Sequence, residues 1–277
     1  MRNGFSLSET IVALGLGAAI ATSVFGVVAM HRRVYLDGVN QVEWHATVRL
    51  AAGLVSAELR GLDPAGGDLM EMSPTSLRYR AARSLYFTCR EPDPGRSTLT
   101  VAASFHGLRA LDPDLDSVLV YVPADFVNNR PEAWVSGDLR RIARGHRCPG
   151  RAESLTLELG GIPQGTMAAV ETGSPLRGVS VWEIRGYGDS RGQWWLGMRR
   201  FRKGGGRPPA IQPVLGPIAP DGIEFRYYDR EDALAGDSQA VVSIGFTILP
   251  ETSGSPRFGE PARPVTLRVA LRGARGS

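Results

Sequence analysis

Gly4-Phe5-Ser6-Leu7-Ser8-Glu9 opens an apolar run that continues to Met30, and between Phe5 and Met30 Glu9 is the only charged side chain. As a helix, about 26 residues extend roughly 39 Å, enough to cross a hydrocarbon core of about 30 Å with some tilt. An ionisable group inside such a segment is costly to insert, so Glu9 is a functional residue by default. Small residues recur along the run at Gly15, Gly17, Ala18, Ala19, Ala21, Ser23 and Gly26. They allow helix backbones to approach closely. Gly15-Leu16-Gly17 follows no strand and lacks the third glycine of a dinucleotide fingerprint, so packing accounts for it.

Beyond Met30 the helical period persists. Val48, Ala51, Ala52, Val55, Leu59 and Leu62 recur at three- and four-residue spacing, with Arg49, Ser56, Glu58 and Arg60 between them. This predicts an amphipathic extension with a buried stripe and a solvated face. Gly61, Asp63, Pro64, Gly66 and Gly67 then stop the helix. A single helix over 5–62 would be about 87 Å long.

From Asp68 onward the pattern becomes short, β-branched or alternating segments separated by Gly, Pro and Asp. Strands are expected at 76–82, 85–90, 98–104, 117–122, 154–159, 179–185, 194–201, 223–228, 241–249 and 265–271. A turn of helix is expected within 124–145, and Gly204-Gly205-Gly206-Arg207-Pro208-Pro209 is expected to divide the sheet. The fold class is therefore α+β, a long N-terminal α-helix packed on a mainly antiparallel β-sheet domain.

The N-terminal pattern, a short polar leader ending in Gly4, then Phe5, then Glu9 at the head of an apolar helix, resembles the processing signal of type IV pilins and pseudopilins. Further stretches are similar to J-type pseudopilins and W-type minor pilins: Val214-Leu215-Gly216-Pro217-Ile218, Gly222 to Asp229, the segments 241–249 and 269–272, and the pair Ser76-Leu77-Arg78-Tyr79-Arg80 and Leu85-Tyr86-Phe87.

The resemblance implies a pilin-like organisation: residues 1–4 as leader peptide, 5–62 as the long helix with its transmembrane part at 5–30, and 63–277 as a periplasmic or extracellular β-rich domain. It implies cleavage between Gly4 and Phe5 by a prepilin peptidase, N-methylation of Phe5, and a role for Glu9 in assembly. The implied partners are that peptidase, other pilin or pseudopilin subunits and an inner-membrane assembly platform. The implied location is the bacterial inner membrane, single pass with the N-terminus cytoplasmic, and then a filament. The implied function is that of a minor subunit at or near the tip of a type IV pilus or type II secretion pseudopilus. Charge alone leaves orientation open, because Arg2 argues for an inside start and Arg32 and Arg33 pull the other way.

Three other readings compete. A secretory signal peptide with Ala19-Ile20-Ala21 as cleavage box has no use for Glu9. A membrane-anchored binding module, such as an adhesin or DNA receptor, and an anchored envelope enzyme both need a site. No catalytic constellation or cofactor is expected. Gly188-Asp189-Ser190-Arg191-Gly192 matches a nucleophile elbow in spelling, but Gln193-Trp194-Trp195-Leu196 continues as a strand, so a polar hairpin is expected. His31, His45, His106 and His146 show no ligand spacing.

Asp112, Asp114 and Asp116 alternate like the start of a calcium loop and form the one metal candidate, but Ser117 and Pro123 stand where that loop needs Gly and Glu, so a solvated turn is expected. Cys89 and Cys148 suit one bridge in an oxidising compartment, against two unpaired buried thiols as the alternative. The net charge of +4 is mild. Arg199, Arg200, Arg202, Lys203 and Arg207 form one dense basic patch beside Trp194, Trp195 and Phe201, and a solvated strand end rather than a nucleic-acid site is expected there.

Overall fold

A computed structural model describes residues 7–145, 147–205, 208–251 and 264–272. Helix α1 (Leu7–Arg60) runs for 54 residues, ending two residues before the expected Leu62. The chain divides into two units, residues 1–50 and 51–277. The first unit carries the apolar part of α1, and the stretch Leu7–Leu36 is long and apolar enough to cross a membrane, with none of its most apolar window buried. Two of its hydroxyls are satisfied locally: the Thr22 hydroxyl donates to Ala18 O at 2.8 Å and the Ser23 hydroxyl to Ala19 O at 2.9 Å. Such back-bonding removes the need for water at those positions.

In the second unit the last turns of α1 meet the sheet. Ala51, Val55, Leu59 and Leu62 are buried, as the stripe predicts, while Ala52 is half-buried. Leu62 O accepts the Arg272 amide at 3.2 Å. The loop that stops the helix is tied down by Asp68, whose carboxylate accepts the Asp63 amide at 2.9 Å and the Arg80 Nε at 2.9 Å.

The strands are β1 (Leu69–Met72), β2 (Ser76–Phe87), β3 (Thr98–Ala102), β4 (His106–Gly107), β5 (Ser117–Val122), β6 (Ala133–Arg144), β7 (Ser154–Gly160), β8 (Pro175–Gly188), β9 (Trp194–Arg200), β10 (Gln212–Tyr228), β11 (Ser243–Pro250) and β12 (Val265–Ala270). A short helix α2 (Gln164–Ala168) precedes β8. All pairings are antiparallel, which hairpin connections permit.

Strands β2 and β8 form a common wall. Along one edge β8 pairs with β2 over almost its full length; along the other it pairs with β5 at its N-terminal half and with β9 at its C-terminal half. The N-terminal side continues β5-β6-β7-β3 and returns to β2 through the Thr88–Val101 bridge, where the Cys89 amide donates to Thr100 O at 2.9 Å. That ring encloses a core of Tyr86, Leu99, Val120, Leu139, Leu157 and Leu176, and Met167 and Val170 at and beside α2 join the same cluster. The C-terminal side continues β9-β10-β11-β12. There Phe225 and Phe246 face each other across β10 and β11 with ring centres 5.0 Å apart.

Several expectations are corrected. The segments 76–82 and 85–90 are one strand, because a bulge at Arg83 inserts a residue between the pairs Ala82–Val179 and Ser84–Gly178. Buried positions pass from 77, 79 and 81 to 84 and 86, and the same face stays inward. The region 124–145 holds strand β6 rather than a turn of helix. The short elements β1, β4 and α2 were not expected. The loop at 204–209, of which residues 206 and 207 lie outside the described residues, does not divide the sheet, since β9 and β10 pair directly across it. The division occurs at β8.

Candidate functional site

Of the residues implicated in processing, Gly4 and Phe5 lie outside the described residues. Glu9 is described and sits in the first turn of the described helix, at the head of the membrane-length stretch. Leu7, Ile11, Val12 and Leu14 around it are all exposed, so this end of α1 presents an apolar surface interrupted by a single carboxylate.

Cys89 and Cys148 are bridged, with Cα atoms 5.5 Å apart and a sequence separation of 59. Cys89 follows β2 at the point where β2 meets β3, and Cys148 lies in the connection between β6 and β7. The bond thus fastens the ring where its strand pairing is thinnest.

A cluster that sequence reasoning missed holds α1 to the sheet. Glu58, expected on the solvated face, turns inward with only 13% of its side chain exposed, and Arg83 retains 7%. Arg83 Nη1 donates to Glu58 Oε1 at 2.8 Å and Nη2 to Oε2 at 2.6 Å, while the Tyr79 hydroxyl donates to Oε2 at 3.1 Å. The guanidinium also lies 4.5 Å from the centre of the Trp182 ring. Burial, with the Glu58 charge next, raises the Tyr79 phenol well above its ordinary value. The only signal in sequence is the three-residue spacing of Glu58 from Val55 on the buried stripe.

The three aspartates do not gather into a metal site. Asp116 is buried, and its carboxylate is occupied by both terminal nitrogens of Arg109 and by the Asp112 amide at 2.8 Å. Asp112 in turn accepts the Asp114 amide at 3.0 Å. The trio forms the expected turn, closed by an arginine, although Asp116 is buried rather than solvated. Among the described residues no group of three or more His, Cys, Asp or Glu is arranged to hold a metal ion. His31 and His45 lie on α1 and His106 in β4, and His146 lies outside the described residues.

The basic patch is broken up by partners. Arg199 pairs with the buried Glu183, and Lys203 pairs with Asp138 at 2.6 Å. Phe201 is flanked by Arg78 and Arg199 at 4.6 and 5.0 Å. Arg200 and Arg202 instead line an open cleft of about 400 Å³ together with Asp112, Asp114 and Trp182. Asp189 closes the β8–β9 hairpin by accepting the Arg191 and Gln193 amides at 2.8 and 3.0 Å, so the elbow-like spelling is a polar hairpin as expected.

The fold and these features define an α+β protein whose N-terminal helix carries a membrane-length apolar stretch and whose antiparallel sheet domain is closed by one disulfide. Neither family models, nor curated proteins, nor solved structures give a match to the chain.

Proposed function

We propose that this chain is a minor pilin or pseudopilin, a structural subunit at or near the tip of a type IV pilus or type II secretion pseudopilus. The observation that carries the reading is Glu9, one carboxylate in the first turn of an apolar helix whose side chains are exposed in the isolated chain, five residues after Gly4. An apolar surface of that extent requires lipid or other helices around it. The antiparallel sheet domain clamped to the last turns of the helix supports the same reading, as does a disulfide suited to an oxidising compartment.

In this reading a prepilin peptidase hydrolyses the Gly4–Phe5 peptide bond, leaving a carboxylate on Gly4 and a free amine on Phe5 that is then N-methylated. The helix crosses the inner membrane with its N-terminus in the cytoplasm. The new Phe5 ammonium pairs with Glu9 of an adjacent subunit. In a medium of low dielectric constant such pairing rewards one axial register and penalises every register that strands a charge.

The test is the mature N-terminus of protein made in a host that supplies a prepilin peptidase. Mass spectrometry is expected to find N-methyl-Phe5 as the first residue. A mature terminus near Ala21 or Ser23 would establish an ordinary signal peptide and overturn the proposal.

A further inference from the structure

We propose that the cleft between the Asp112–Asp114 turn and the C-terminal end of β9 docks a polypeptide segment carrying an acidic and a basic side chain close together. The inference is independent of filament membership. It rests on the charges that face the cleft and on the ties that fix the backbone on either side.

Arg199 reaches the cleft, but its charge is engaged by Glu183. Arg200 lies 5.8 Å from the Trp182 ring centre, and Arg202 is exposed. Among the described residues neither has a carboxylate within 4.0 Å, and neither Asp112 nor Asp114 has a cation within that distance. Two guanidinium groups and two carboxylates therefore share one space of about 400 Å³ without pairing.

The backbone of both walls is tied in place. The Lys203 amide donates to Asp114 O at 3.0 Å, which ties the aspartate turn to the chain leaving β9. Arg109 holds the far end of that turn through Asp116. The backbone of the lining is thus pre-organised, and a ligand bearing both signs gains charge-assisted hydrogen bonds from its arginines and aspartates. The volume lies in the range of ligand-binding clefts, about 300–1,000 Å³.

The same lining disfavours nucleic acid. Among the described residues the free charges of the lining cancel, so a polyanion gains no net attraction from them, and phosphates brought to Arg200 and Arg202 would face Asp112 and Asp114.

The experiment uses the full chain in detergent micelles and follows the Trp182 indole N–H by NMR, assigned by its loss in Trp182→Phe. The probes are terminally blocked Lys-Gly-Glu, Lys-Gly-Lys and Glu-Gly-Glu peptides and oligothymidylate. Lys-Gly-Glu is expected to give a saturable shift with an affinity about tenfold above either like-charged peptide, the factor expected from one lost charge contact. Arg202→Glu is expected to weaken Lys-Gly-Glu binding about tenfold, and Arg202→Glu combined with Asp114→Lys to restore it. Both side chains are exposed, and an unchanged near-ultraviolet dichroism spectrum checks that the variants fold. Equal response to oligothymidylate or to a like-charged peptide, no shift with Lys-Gly-Glu, or no recovery in the folded double variant would each overturn the proposal.

Discussion

The carboxylate of Glu58 and the guanidinium of Arg83 meet in a two-pronged pair, 2.8 and 2.6 Å, at the interface between the last turns of the long helix and strand β2. Both are nearly removed from solvent. Two desolvated charges are tolerated there because they pair with each other and Tyr79 adds a third hydrogen bond, although the buried Arg83 Nε has no partner among the described residues.

Glu58→Ala leaves Arg83 buried and unpaired. The expected destabilisation is about 3–5 kcal/mol by denaturant unfolding of the full chain in mild detergent. Glu58→Leu combined with Arg83→Met is expected to recover most of that loss, because it removes both charges at once. A cost below about 1 kcal/mol for Glu58→Ala would show that the pair is not a clamp.

Alkaline pH should weaken the β domain. Tyr79 and Tyr227 both have phenols raised above their ordinary value, chiefly by burial, and Tyr227 donates to Ser73 O at 2.9 Å. A raised folded value means that the stabilisation is fully present below the unfolded value, about 10, and is lost as pH rises through the folded value. Stability is expected to fall from about pH 10 upward, with a shallower slope in Tyr79→Phe and Tyr227→Phe. A flat profile between about pH 9 and 11 in the unmodified chain would contradict this.

Replacing both Cys89 and Cys148 by Ala releases a loop of 59 residues' separation. The chain-entropy account gives a loss of about 4 kcal/mol. The measurement is the denaturant midpoint of the oxidised chain against the double variant, and indistinguishable midpoints would refute it.

Glu9→Ala is expected to leave a processed, membrane-inserted chain whose sheet domain is folded, because removing a carboxylate from an apolar segment eases insertion by a few kcal/mol. On the proposed reading as a filament subunit, incorporation into filaments should drop, since there the Phe5 ammonium of the neighbouring subunit would lose its partner. Incorporation and filament number at unaltered levels would remove Glu9 from any assembly role.

The apolar helix was legible because its signal is compositional: a long run with one charge needs no knowledge of the rest of the fold. β5 was legible because Ser117–Val122 is a compact β-branched run, and it begins and ends where expected. Glu58 was not, since a carboxylate on an amphipathic helix reads as solvated until Arg83, 25 residues away, is placed beside it. β6 was obscured by Arg140, Arg141 and Arg144 on a strand with much of its surface in solvent and a register shift between Leu139 and Arg141. The single strand β2 read as two because the inserted Arg83 changes the parity of the buried positions. The cleft depends on bringing residues 112–114 against residues 199–202, a juxtaposition no local pattern encodes.

The shared wall of β2 and β8 has a further consequence for how the domain comes apart. Neither the ring nor the β9–β12 side owns a complete set of strand partners; each borrows its first strand from the pair that also bounds the other. A one-residue slip of β8 would turn its side chains inside out against both cores at once. The two halves therefore stand or fall together, and the disulfide just beyond β2 and the Glu58–Arg83 pair at β2 guard a single cooperative unit.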